Sequence, residues 1–367
     1  MARKLRYDWL LFVATFALIS LSVIMVYSAS SFIAQQKFGD SYYFLSKQVT
    51  FVLIGCLLVA VMMRVDYHVF EQPPVVWSLV GASVLALAFV YLAGAEAKGA
   101  RRWFGIAGIG IQPSEFAKFA AVVFTAALLE RRMDRINSPR EVLAPVGLMV
   151  AIVAGLILIE PDLGTAVTLV MAVAVMVFAA GVGWKYVAGV ALAAVPALTA
   201  LLLMKGYRRQ RVLTFLDPWQ DPQGAGWQTI QSILAVARGG VTGLGLGQGI
   251  QKRFYLPEPH NDFIYAVVAE ELGMIGAVVV LVAFVVIAWR GIVASLNAPD
   301  RFGTFLALGL TTLIAFQALL NVSVVLALLP TKGIPLPFIS AGGSSLLVSF
   351  LAIGVLLNVS QHASARL

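Results

Sequence analysis

The sequence predicts an all-α polytopic membrane protein with about ten transmembrane helices and one long extracytoplasmic loop between the seventh and eighth. Composition is the first reason: 60% of residues are hydrophobic and 12% charged, against roughly 25% charged in soluble domains. Apolar runs of about 20 residues, enough to cross a bilayer core, recur along the whole chain. With 367 residues so occupied, no sizeable soluble domain fits, and 1–367 reads as a single membrane domain.

The expected spans are roughly 9–29, 45–64, 74–93, 113–130, 142–159, 162–183, 185–204, 262–289, 303–329 and 342–361. The first follows Arg3, Lys4 and Arg6 and is too long for a leader core, so it reads as a retained helix. The single cysteine, Cys56, lies in the second run and suits packing. Segments on the N-terminal side carry 12 Lys and Arg, and the short opposite loops carry six. That bias places both termini in the cytoplasm and the 205–261 loop outside. The loop adds seven more basic residues on the outer side, a surplus that suggests an anionic ligand there.

Ionisable groups inside a membrane domain are functional candidates. Glu115 and Lys118 lie one turn apart behind Pro113, as a structural ion pair or as part of a site. Arg101 and Arg102 precede them; a guanidinium there can grip a phosphate bidentately or anchor in headgroups. Asp162, in the turn Glu160-Pro161-Asp162, either caps the sixth helix or holds basic groups of the site.

The long loop opens with Arg208, Arg209 and Arg211. Residues 227–237 form an amphipathic stretch suited to the membrane surface. Six glycines follow within 239–249. No strand precedes them, so they are no dinucleotide fingerprint; they either form an anion nest or allow close packing. Lys252, Glu258 and Asp262 close the loop, and Asp262 falls where the eighth helix begins. Beside Phe263 and Ile264 its carboxylate would be partly desolvated and a better base; otherwise it is a helix cap, a job Asn261 could also fill. Glu270 and Glu271 lie deeper and cannot both face one cavity from a regular helix, so at least one should pair with a basic group of another span. The Pro- and Gly-rich stretch 329–345 must be buried in protein or line a cavity.

At these segments the chain resembles the SEDS family of shape, elongation, division and sporulation proteins. The carriers are GARRW at 99–103, QPSEFAK at 112–118, EPDLGT at 160–165, YRRQRVLTFLDPW at 207–219 and GAGWQTIQSILAVARGG at 224–240. They continue with QKRFYLPEPHNDFIYAVVAEELG at 251–273 and LLPTKGIPLPFISAGGSSL at 328–346. Several of these versions look more like the division branch than the elongation branch. Asn261 and Ala341 depart from the threonine and tyrosine common in the family.

The resemblance implies a ten-helix inner-membrane glycosyltransferase that polymerises lipid II for the septal cell wall, with the active site on the extracytoplasmic face. A lipid II flippase or an elongation polymerase is the alternative. Asp262 takes the family's essential aspartate position. Substrate binding is expected of Arg101, Arg102, Glu115, Lys118, Asp162, Arg209 and Arg211. Lys252, Glu258, Lys332, Ser340, Gly342, Gly343 and Ser344 complete that set. No cofactor is demanded, although a divalent cation, Mg or Mn, is compatible with diphosphate chemistry. The implied partners are a class B penicillin-binding protein, other divisome membrane proteins and membrane lipids; no nucleic acid is expected.

Overall fold

The computed structural model describes residues 7–97, 100–106, 109–203, 206–253 and 255–362. Each apolar run of the sequence lies on a helix. α1 spans Trp9–Phe38, α2 Tyr43–Met62 and α3 Pro73–Ala93. Asp8 caps α1 by accepting from the Leu11 N–H, and Gly39 ends it in the left-handed conformation. α4 spans Pro113–Arg131, α5 Ala144–Ile159, α6 Leu163–Ala179 and α7 Trp184–Leu203. A single π-helical turn, Pro139–Leu143, leads into α5. α10 spans Ile264–Leu296, α11 Arg301–Val325 and α12 Gly343–His362. Seven described helices are long and apolar enough to cross a membrane: α1, α2, α3, the 139–159 helix, α10, α11 and α12.

The architecture is not purely helical. Between α3 and α4 lie three short antiparallel strands, β1 Ala95–Ala97, β2 Ala100–Ile106 and β3 Ile109–Ile111, in that order. Phe104 pairs with Ile111 and Ile106 with Ile109. Aromatic and β-branched residues favour extended backbone, and this stretch is too short and too rich in glycine for a helix.

α4 is buried almost all round, packed by α3, α6, α11 and α12. α10 packs on α1 and α11, and α12 packs on α2. α2 and α3 turn many large apolar side chains outward, among them Leu53, Leu57, Leu85 and Leu92. On the N-terminal side, Asp8 pairs with Arg290 at 2.6 Å. There, too, Asp300 accepts from the Tyr67 hydroxyl and caps α11.

The 205–261 stretch is largely structured. It contains α8, Gly206–Leu216, and α9, Trp227–Gly239. The amphipathic stretch expected along the membrane surface is α9, and its inner face packs on α10 and α11. Ser232 there donates to the Val325 carbonyl at 2.7 Å.

The glycine-rich segment folds against a break in α10 at Gly273, whose φ is 68°. A break frees backbone groups that must find partners. The N–H groups of Leu244 and Gly245 reach the carbonyls of Glu270 and Glu271, each at 3.0 Å. In return, Met274 N–H donates to Gly240 O at 2.9 Å. Gly243, at φ 82°, approaches the Glu271 backbone so closely that a Cβ would collide.

The same segment forms a nest, filled by the chain's own carboxylates. Gly247 N–H donates to Glu271 Oε2 at 2.9 Å, and Ile250 N–H to Glu270 Oε1 at 3.0 Å. Lys252 Nζ meets Glu271 Oε1 at 2.6 Å and Ser28 Oγ at 2.8 Å. Glu271 therefore pairs with a base from the loop, where a base from another span was expected. Lys252, a candidate substrate ligand, is buried in that pair.

Breaking a buried pair leaves one charge uncompensated. Lys252→Met is expected to destabilise the protein by about 3–5 kcal/mol, with the Lys252→Met/Glu271→Leu double variant recovering most of the loss. Thermal unfolding in detergent checks the ranking; a double variant less stable than the single one would contradict it.

Candidate active site

Four backbone segments converge beside the start of α10: the 260–262 end of the long loop, the strip 330–345, the turn 160–162 and the edge of β3. Asp262 is half-buried. The N-cap of α10 is Phe263, without a side-chain cap hydrogen bond, so neither Asp262 nor Asn261 is the cap.

The strip is fastened to the loop by local chemistry. Ser340 Oγ accepts from Leu336 N–H and donates to Asn261 O, each at 2.7 Å. Ala341 N–H donates to His260 O at 3.0 Å. Gly333 lies directly against Asp262: a Cβ there would come within 2.8 Å of Oδ2. Arg211 Nη1 donates to Thr331 O at 3.3 Å, which brings α8 to the same strip. Lys332, half-buried, lies between those two contacts in sequence. Gly342 faces Asn261, and Gly343 packs on the Phe51 ring.

The 160–162 turn joins from the other side. Asp162 caps α6 by accepting from Thr165 N–H at 3.1 Å and also from Thr165 Oγ1 at 2.9 Å. It accepts as well from Gln112 Nε2 at 3.2 Å. Arg102 holds the turn's backbone, with Nε donating to Glu160 O at 2.7 Å and Nη2 to Pro161 O at 2.9 Å. Gly164, in the first turn of α6, packs on Ile334 of the strip. Ser344 Oγ accepts from Gln112 N–H at 2.9 Å and donates to Gly110 O at 3.2 Å, tying the strip to β3.

Deeper in the bundle, Glu115 and Lys118 form a buried ion pair at 3.0 Å. Lys118 Nζ also donates to Gln317 Oε1 at 2.7 Å. With Leu313, Pro337 and Ser349 they line a small cavity between α4, α11 and α12. Arg101 is exposed on β2. Glu258 lies 3.7 Å from His260 Nε2. Arg209 belongs to α8, and its side chain lies outside the described residues.

Three polar residues of this region carried no assigned role in the sequence reading. Gln317 and Asn321 are amides in an apolar helix, a signal that intramembrane polarity alone could have raised. Glu160 is buried with neither carboxylate oxygen hydrogen-bonded. Burial and the neighbouring Asp162 charge push its carboxyl up to about 8, against the pull of Arg102. Among the described residues, no three His, Cys, Asp or Glu side chains come together as a metal-binding group.

A partly desolvated carboxylate beside a fixed, glycine-opened strip, with guanidinium groups on neighbouring elements, suits proton removal next to an anionic leaving group. The chain belongs to the FtsW/RodA/SpoVE family, the SEDS family that its motifs resemble: a family model described as cell cycle protein matches residues 8–365. A probable peptidoglycan glycosyltransferase FtsW of Geobacter metallireducens is 44% identical over 357 residues, covering 97% of this chain and 95% of that protein. Stage V sporulation protein E of Bacillus subtilis is 41% identical over 361 residues, covering 98% and 99%. Among solved structures, a chain from a peptidoglycan synthase complex is similar with a TM-score of 0.80 and 31% identity, covering 96% of this chain and 97% of that one. The rod shape-determining protein RodA of Thermus thermophilus is similar with a TM-score of 0.72 and 26% identity, covering 98% of both chains.

Glu160 yields a pH prediction. Its folded-state carboxyl titrates at about 8 against an ordinary value of 4.5, so the folded chain holds the proton more tightly than the unfolded one. That contribution is full below the ordinary value and is lost as pH rises through about 8. Glu160→Gln should therefore flatten the fall in melting temperature between pH 5 and 8, by about the share this one group contributes. Melting curves across that range test it; an unchanged slope would count against it.

Proposed function

We propose that this chain is a peptidoglycan glycosyltransferase that polymerises lipid II on the outer face of the bacterial inner membrane, in the service of septal wall synthesis. The observation that carries this reading is Asp262, a half-buried carboxylate that does not cap its helix and lies against Gly333 of the strip. The relatives' names support the activity, and the Lys/Arg bias supports cytoplasmic termini.

Lipid II carries its disaccharide-pentapeptide on a diphosphate, already a good leaving group. The chain therefore has chiefly to position two substrates and meet departing charge. Asp262 takes the proton from the acceptor GlcNAc 4-hydroxyl as that oxygen attacks the anomeric carbon of the donor MurNAc. The C–O bond to the diphosphate breaks on the opposite face, so the α-linkage becomes β. Arg211, bonded to the strip, Lys332, within it, and Arg209, on the same helix as Arg211, are suited to the diphosphate. Arg102 has Nε and Nη2 on the 160–162 turn and offers its remaining N–H groups. Lys118 pairs with Glu115 and donates to Gln317, contacts that suit holding the bundle around the site. No step here depends on a cation.

A class B penicillin-binding protein is the proposed partner, since the glycan needs cross-linking and a similar chain is solved within a peptidoglycan synthase complex.

Asp262→Asn keeps the shape and removes the base, so lipid II turnover by the purified protein should fall by about 100-fold or more while lipid II still binds. Polymerisation at the normal rate by this variant would remove Asp262 from the role. Scrambling of lipid II without polymer, by the unaltered protein, would replace the polymerase reading with a flippase. Adding the transpeptidase partner should raise the rate, and an unchanged rate would count against activation.

A further inference from the structure

α11 carries two buried amides, Gln317 and Asn321, four residues apart and so on one face of the helix. A buried amide is costly unless its hydrogen bonds are met; at Asn321 the nitrogen is fully bonded while Oδ1 is buried without a hydrogen-bond partner. Asn321 Nδ2 donates to two carbonyls, Ile334 O at 2.6 Å and Asp262 O at 2.9 Å. Both partners are acceptors, so only the NH₂ end of the amide fits there. One turn earlier, Gln317 Nε2 donates to Pro335 O at 2.9 Å. Successive turns of α11 therefore hold the successive carbonyls of 334 and 335.

The residue before them is Gly333, which lies against the Asp262 carboxylate. Asn321 thus joins, through one nitrogen, the residue that carries the carboxylate and the strip that faces it. Ser340 and Ala341 fasten the neighbouring residues Asn261 and His260, but neither bonds Asp262.

We propose that Asn321 is a positioning residue for Asp262: its amide sets the spacing between the carboxylate-bearing residue and the 333–335 strip, and so where an acceptor hydroxyl meets the base. The inference rests on the reading of Asp262 as that base. Asn321 touches no reacting atom; it acts through the backbone. Because a misplacement of about 1 Å can cost about 100-fold in rate, a residue of this kind governs turnover more than affinity.

The test uses the purified full-length chain with lipid II, comparing Asn321→Asp, Asn321→Ser and Asp262→Asn. Aspartate keeps the asparagine shape but can donate at most one proton, so it cannot hold both carbonyls as the NH₂ group does. Serine keeps one donor on a shorter arm and covers the case in which the aspartate variant does not fold. The expected result, measured on folded protein, is a kcat lowered by roughly 10- to 100-fold with KM for lipid II within about twofold, alongside the fall in melting temperature that losing buried hydrogen bonds brings. A kcat that falls, in both variants, only as far as the loss of folded protein accounts for would assign Asn321 to folding alone and overturn the inference. Near-normal kcat in both, while Asp262→Asn is inactive, would overturn it and leave the base reading standing. Near-normal turnover by Asp262→Asn would overturn the base reading and this inference with it.

Discussion

Backbone N–H and C=O groups cannot be left unpaired where water is excluded, and two of the described segments in which this chain leaves helical geometry lie against buried helices. One is the glycine-rich segment 239–251, the other the strip 330–342. Neither can satisfy its backbone internally, as a helix does. Each is instead met by polar side chains placed on a neighbouring helix: Glu270 and Glu271 for the first, Gln317 and Asn321 for the second. The intramembrane polar residues are thereby explained before any chemistry is assigned. They are the partners that allow irregular backbone to exist at that depth, and irregular backbone is what leaves Gly333 open against Asp262.

The same constraint sorts the charges. Lys252 and Lys118 are each within 3.0 Å of a glutamate oxygen and are buried, so they hold elements together. Arg211 donates to the Thr331 carbonyl and, like Arg101, is exposed. Arg102 falls between, bracing the 160–162 turn while half-exposed. A guanidinium suits that double role because its N–H groups diverge in one plane, so it can grip a backbone and still present donors elsewhere. The site is thus built from two kinds of basic residue, and composition alone does not separate them.

The helical frame was legible in the sequence because each apolar run is long enough to be read by itself. Pro113 and Asp162 marked helix starts correctly, since capping is a local matter. The strands between α3 and α4 were missed, as short extended segments leave little periodicity to detect. The pairing of Lys252 with Glu271 was equally illegible: it depends on the loop folding back over the break at Gly273. Asp262 was found through its position at a loop–helix boundary and through a family motif. Asn321, which bonds its carbonyl, lies 59 residues away inside an apolar run and gave no such cue.

What distinguishes the region around Asp262 from the Glu271 network is the fate of the carboxylate. Glu271 sits on the same helix, yet it is fully buried and receives a lysine, a serine hydroxyl and a backbone N–H. A carboxylate so surrounded has its charge matched by a lysine and its oxygens taken by donors, which suits a structural role. Asp262, at the helix start, is only half-buried and has Gly333 directly against its Oδ2. Both its backbone and the strip opposite are tied down by one amide, so the carboxylate is held in place from behind while its front stays next to glycine. Asn321 thus fixes this residue through its main chain and not through its carboxylate. Main-chain fixation of this kind would suit the base proposed for Asp262, because that reaction depends more on placing two large lipid-linked sugars than on activating a poor leaving group.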